Sequence, residues 1–164
     1  MKTRTLFLIL IFAITLIVSA LFFNSCETTT SDEDLIRQLF KKEDALKVTE
    51  DITPLYSIYS PSVVIYHGNN TPDTGDDYLL CDGISEVITY YQNIFNSLEN
   101  IQHTSTITNI IISGDEATCN KTTTGTHVVT ATKETQTLPG GTEPWRLQKN
   151  DSNWVVIEAT WFTE

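Results

Sequence analysis

Three hydrophobic periods succeed one another along the chain. Leu6–Phe23 is continuously apolar except for Thr15 and Ser19. After a polar interval, Leu35, Ile36, Leu39, Phe40 and Leu46 recur at helical spacing and form one stripe, which predicts an amphipathic helix. Ser31 stands at its cap with Asp34 at capping-box spacing, and Asp32, Glu33 and Asp34 complement the positive end of the helix dipole. Asp51, followed by Ile52-Thr53-Pro54, predicts a second, short helix through Tyr59, since proline is tolerated in a first turn. Ser60-Pro61 ends it. Val63–Tyr66 is a strand by β-branched density, His67–Asp77 a connection rich in Asn and Gly, and Tyr78–Cys81 a short return strand. Asp82-Gly83 turns into a third helix, where Ile84, Val87, Ile88, Tyr91, Ile94, Phe95 and Leu98 make a wide apolar face.

From Ile101 onward the period is that of strands. Ile101–Ile112 meets Ala117–Thr130 through Ser113-Gly114-Asp115-Glu116, a hairpin signal. Gly140-Gly141 precedes Trp145–Lys149, and Asn150–Asn153 turns the chain into Trp154–Phe162. The predicted order is helix, helix, β-hairpin, helix and then four antiparallel strands. Such segregation indicates an α+β fold, a curved antiparallel sheet wrapped over three N-terminal helices.

The length, 164 residues, suits one globular domain. With 21 acidic and 10 basic residues the formal charge is −11, and removing Lys2 and Arg4 with a leader makes it 8 − 21 = −13. A surface that negative repels phosphate backbones, so no nucleic-acid partner is expected. Lys2 and Arg4 ahead of Leu6–Phe23 read as a signal peptide over residues 1–25. The apolar run spans roughly 27 Å as a helix against a bilayer core of about 30 Å. Phe23-Asn24-Ser25-Cys26 resembles a bacterial lipobox, although Phe23 and Asn24 depart from it, which would make Cys26 a lipidated, membrane-anchoring residue. Residues 26–31 would then be a tether and 32–164 the folded domain. An uncleaved single-pass anchor and full secretion are the alternatives, and all three put the domain outside the cytoplasm, in the cell envelope for a lipoprotein. Cys81 and Cys119 are an even pair in a disulfide-permissive setting; two buried thiols on separate strands is the preferred reading.

Asp51–Val64, Asp82-Gly83-Ile84 opening a helix with Tyr90-Tyr91, His103 entering a strand, Gly114–Ala117, Trp145-Arg146-Leu147 and Asn153-Trp154 fall in an order that resembles the nuclear transport factor 2-like (NTF2-like) superfamily, in its SnoaL-like branch. The resemblance spans about residues 32–163. It implies a cone whose sheet curls round a long helix and leaves an apolar cavity. Family members use that cavity for isomerase, dehydratase, cyclase or hydrolase chemistry, or only to bind small molecules, and others serve as association modules.

The candidate catalytic residues are His103, His127, Glu158 and Asp44. Scytalone-dehydratase-type members place two histidines on neighbouring strands, which the resemblance carries to His103 and His127. Register decides whether both reach one cavity. A two-residue turn at Gly114-Asp115 sets Thr126 opposite His103 and turns His127 away, whereas a longer connection or a single bulge sets His127 opposite His103. A neutral imidazole in a dry pocket can move protons near working pH. Glu158, between Ile157 and Ala159, would have a raised pKa if it pointed inward. Asp44 lies in the charge run Lys41-Lys42-Glu43-Asp44, four residues after Phe40, where catalytic relatives carry Tyr; the phenylalanine removes a substrate-orienting hydroxyl. His67 reads as an exposed loop residue. Tyr59, Tyr91, Trp145 and Trp161 are candidate pocket-lining residues, and Lys121 or Arg146 could hold a carboxylate.

No metal-ligand spacing, phosphate-cradling glycine loop or Gly-x-Ser-x-Gly elbow occurs, so neither metal nor cofactor is expected. The expected function is an envelope-anchored domain that binds a small, largely apolar molecule in its cone, with isomerase- or dehydratase-like acid–base chemistry as a further step. The alternative is a non-catalytic module that homodimerises through its open sheet face.

Overall fold

Ser31 caps helix α1 (Asp32–Thr49): its Oγ accepts the Asp34 N–H at 3.2 Å and donates to the Asp34 carboxylate at 2.7 Å. The helix ends at Glu50, which takes a left-handed conformation (φ 54°) and returns its N–H to the Leu46 carbonyl. The computed structural model describes residues 30–68, 77–138 and 140–161. The predicted leader, Cys26 and most of the tether lie outside the described residues, as does most of the 67–77 connection. No described helix is long and apolar enough to cross a membrane.

The second helix is shorter than its sequence suggests. Asp51 accepts the Thr53 N–H at 2.9 Å in a turn, and α2 covers only Leu55–Ile58. Tyr59 already belongs to strand β1 (Tyr59–His67), which therefore carries Pro61 near its start. Strand β2 (Tyr78–Asp82) pairs antiparallel with β1. Gly83, at φ 89°, caps α3 (Ile84–Ser97), while Glu86 reaches back to accept the Asp82 N–H at 2.8 Å. Five strands follow rather than four: β3 (Leu98–Ser113), β4 (Glu116–Val129), β5 (Thr135–Leu138), β6 (Thr142–Asn150) and β7 (Asn153–Trp161). The additional strand, Thr-Gln-Thr-Leu, is too short to show a period of two.

The sheet runs β2-β1-β7-β6-β4-β3, with β5 continuing the β4 edge beyond β6. It is antiparallel except between β1 and β7, which are parallel. The domain is α+β, with a curved, unclosed sheet and its helices at the N-terminal end. Packed inside are Ile36, Leu39, Phe40 and Leu46 of α1, Leu55 and Ile58 of α2, Val87 and Tyr91 of α3, and Tyr59, Val63, Trp145, Leu147 and Val156 of the sheet. Phe40 meets Trp145 edge to face, with centroids 5.1 Å apart. Cys81 and Cys119 are buried free thiols on β2 and β4, with β1, β7 and β6 between them. Burial pushes their pKa values up to about 11 and about 12.

Candidate functional site

The long β3–β4 hairpin positions the site. A two-residue turn pairs Ser113 with Glu116, as the tight alternative requires, and this register continues to Ile111 opposite Thr118. Between Thr108 and Ile111 the ladder slips by one residue, and Asn109 stands there at φ 53°. Asn100, also at φ 53°, marks a second slip between Glu99 and Gln102. Asparagine tolerates the left-handed region that such a bulge demands. The first slip changes the face of every residue beyond it, so Gly125 and not Thr126 lies opposite His103. His127, two residues further on, shares that face. The two histidines thus meet diagonally, not squarely opposite as the single-bulge alternative had it.

His103 Nε2 lies 3.3 Å from His127 Nδ1, and His127 Nε2 lies 3.1 Å from the Gln136 carboxamide oxygen on β5. An amide oxygen only accepts, so His127 donates from Nε2 and offers Nδ1 as acceptor. His103 then donates from its Nε2 and keeps the lone pair on Nδ1. Burial and the positive charge of Lys47 lower the His103 pKa to about 4, with smaller contributions from His127 and Lys121 and an opposing one from Glu43. His103 is therefore neutral at neutral pH.

Both histidines line a cavity of about 850 Å³, together with Tyr90, Tyr91, Ile94, Leu98, Ile101, Leu138 and Trp161. Part of the α3 apolar face, Ile94 in particular, covers this space instead of packing solid core. Its wall also holds Glu43, Lys47, Lys121 and Glu143. Glu43 Oε1 accepts from the Tyr91 hydroxyl at 2.7 Å and the Tyr59 hydroxyl at 3.2 Å. Lys121 donates to both Glu43 oxygens at 3.0 and 2.8 Å, and Lys47 reaches Oε1 at 3.0 Å. Burial alone would raise the Glu43 pKa. The charges of Lys121 and Lys47, with hydrogen bonds from Lys121 and Tyr91, outweigh it and hold the carboxyl far below its ordinary range. Burial beside that carboxylate drives the Tyr59 and Tyr91 phenols well upward.

The structure brings His103, His127, Tyr91 and Trp161 into this cavity wall. Tyr59 and Trp145 lie beneath it: Tyr59 supports Glu43, and the Trp145 ring centre is 4.2 Å from Lys121 Nζ. Asp44 is not among the lining residues; it accepts the Ser105 N–H at 2.7 Å and the Ser105 hydroxyl at 2.6 Å, which ties α1 to β3. Glu158 is not brought in either. A slip between Arg146 and Leu147 leaves Ala159 and Trp161 facing inward, and Glu158 pairs with Arg146 at 3.0 Å, both side chains substantially exposed. His67, expected on an exposed loop, ends β1, stacks on Tyr78 at 4.6 Å and contributes to the wall. Among the described residues no three of His, Cys, Asp and Glu gather in a way that could hold a metal ion.

Glu43 was hidden within the Lys41–Asp44 run of charges, and Lys47 stands just beyond it, after Ala45-Leu46. The signal for Glu43 is positional: it stands four residues after Leu39 and three after Phe40, in the gap before Leu46 on the apolar stripe. Lys121 shares the inward parity of Ala117 and Cys119.

The model of the SnoaL-like domain matches residues 29–160. The chain belongs to the SnoaL-like family. Its fold is similar to that of a ketosteroid isomerase-like protein from Erwinia carotovora atroseptica, at TM-score 0.61 and 19% identity, covering 79% of this chain and 95% of that one. A scytalone-dehydratase-like protein from Novosphingobium aromaticivorans matches at TM-score 0.62 and 13% identity, over 79% and 81% of the two chains. A conserved protein from Planctomyces limnophilus matches at TM-score 0.66 and 14% identity, over 80% and 94%. A comparison with curated proteins finds no match. For this SnoaL-like chain such low identities show the fold alone.

Proposed function

We propose that the domain binds a small, largely apolar molecule in its cavity and that the His103–His127 pair moves a proton on it. One observation carries this reading: two imidazoles face each other at 3.3 Å in the wall of a space of about 850 Å³. That volume is within the ordinary range for small-molecule sites, roughly 300–1,000 Å³. His103 Nδ1, neutral and with its lone pair free of the His127 bond, is the acceptor for a proton α to a carbonyl. His127, anchored by Gln136, fixes the ring orientation, and the same Nδ1–H can return the proton to a neighbouring carbon or to a departing hydroxyl. The isomerase and dehydratase names of two structural neighbours support acid–base chemistry of this kind.

The test begins with protein purified from its own host, denatured to release bound molecules for mass spectrometry. The recovered molecule is then incubated with fresh protein in D₂O. Deuterium should enter next to a carbonyl, or water should be lost, and His103→Gln should slow this by about 10²-fold or more. A recovered ligand that His103→Gln turns over at the wild-type rate would refute the catalytic half. The absence of any co-purifying molecule, with no ligand-induced shifts in the cavity-wall resonances, would refute both halves.

Envelope anchoring through Cys26 belongs to the same proposal. Cys26→Ala, or globomycin treatment, should change the processing of the chain; an unchanged pattern would remove the anchor and leave the pocket reading standing.

A further inference from the structure

Two lysines converge on one carboxylate in the cavity wall, and they are not equivalent. Lys121 donates to both Glu43 oxygens, lies 4.2 Å from the centre of the Trp145 ring and is 2% exposed. Two of its three donors go to Glu43, and it is almost wholly buried. Lys47 approaches Glu43 Oε1 at 3.0 Å but keeps 14% of its side chain accessible and lines the cavity. Oε1 already accepts from Tyr59, Tyr91 and Lys121, more donors than a carboxylate oxygen has lone pairs, so Lys47 shares a crowded oxygen, whereas Lys121 also holds Oε2. An ammonium has three N–H donors, and among the described residues Glu43 is the one ion-pair partner of Lys47. The histidines offer little competition, since His103 Nε2 is bonded to His127 Nδ1 and His127 Nε2 to the Gln136 carboxamide oxygen.

We propose that Lys47 is the anion-binding group of this pocket, and that the molecule bound there carries a carboxylate on an aromatic or alicyclic apolar body. This deepens the reading of the cavity as a small-molecule site and rests on it. The apolar body lies against Tyr90, Ile94, Ile101 and Trp161, and the carboxylate takes the spare Lys47 donors. Glu143 stands opposite Lys121 across the β4–β6 ladder, and with Glu43 it brings the wall near neutrality. The carboxylate is therefore held by charge-assisted hydrogen bonding in a shielded site more than by net charge. Lys47 also keeps an ionised form, because Glu43 raises its pKa against the cost of burial.

The experiment compares two probes of equal shape, 2-naphthoate and its neutral counterpart 2-naphthamide, by calorimetry and NMR on the full-length protein. The wild type should bind the acid about tenfold more tightly than the amide, a difference of about 1.4 kcal/mol. Lys47→Met and Lys47→Gln should erase that preference. Equal affinity for the two probes in the wild type, which needs no variant to fold, would overturn the role of Lys47 and leave the pocket standing. So would a preference that survives both substitutions. If neither probe binds and no resonance of His103 or Trp161 shifts, the pocket reading itself fails and this inference goes with it.

Discussion

His103 faces Gly125 across the β3–β4 ladder, not His127, and the missing side chain lets the strands close on each other. A Cβ built on Gly125 would stand 1.9 Å from the Gln102 carbonyl oxygen, and the residue holds φ at +143°. Glycine there is required twice over, by space and by backbone conformation. Gly125→Ala should cost about 3 kcal/mol or more in denaturant unfolding and separate the two imidazoles. Gly114 in the hairpin turn provides the contrast. It has φ +61° but open space around it, so Gly114→Ala should cost only about 1–2 kcal/mol. Equal losses at the two positions would show that the close approach at Gly125 is not a constraint.

Two perturbed groups of the cavity, His103 and Glu43, give stability a predictable acid limb. His103 titrates at about 4 in the folded chain against an ordinary value of 6.5, with Lys47, His127, Lys121 and Glu43 around it. Between those values the unfolded chain holds a proton that the folded chain lacks, so stability falls as pH drops from 6.5 towards 4. Glu43 is depressed below its ordinary value of 4.5, so its contribution is complete above that value and is lost as pH falls further below it. Urea unfolding measured from pH 8 to pH 3 should show both phases. His103→Gln should flatten the upper phase alone, and an unaltered slope between pH 6.5 and 4 would contradict the neutral state assigned to His103.

The α+β order was legible because each period was long: the α1 stripe, the α3 face and the β3–β4 hairpin all declare themselves over ten or more residues. Strand β5 was not, since Thr135–Leu138 is four residues long and gains its place by pairing with Gly125–Val128. The histidine geometry could be narrowed to a question of register but not answered. The deciding bulge lies at Asn109, six residues from His103, in a stretch where Thr, Asn and Ile fit either face. Glu43 was missed for a different reason. A carboxylate inside an apolar stripe is costly to bury, and only the tertiary meeting of α1 with Lys121, Tyr59 and Tyr91 compensates it.

Asp44 illustrates how a polar helix residue can serve the edge of a sheet. β3 is an outer strand, and its backbone on the open side is met by α1: Ser105 N–H by Asp44 and the Ile107 carbonyl by Arg37 at 2.9 Å. Capping these groups blunts an edge that would otherwise pair with another chain. Asp44→Ala should therefore destabilise by about 1–3 kcal/mol and raise light scattering on warming. Probe binding in the cavity should be retained. Loss of ligand binding at unchanged stability would instead place Asp44 in the site.

Glu158 allows the outer face of the sheet to be tested against the inner one. Its 3.0 Å pair with Arg146 joins two strands where both side chains meet solvent, 48% and 40% accessible. Exposed pairs of this kind contribute about 0–1 kcal/mol, because water screens them and two long side chains lose freedom in forming them. Glu158→Gln should accordingly change stability by no more than that, with the small loss shrinking further at high salt. The His103 and His127 resonances should keep their positions, and any turnover found for the wild type should persist in the variant. A fall in turnover of about tenfold or more without unfolding would mean that chemistry reaches the outer face, which the inward parity of Ala159 and Trp161 forbids.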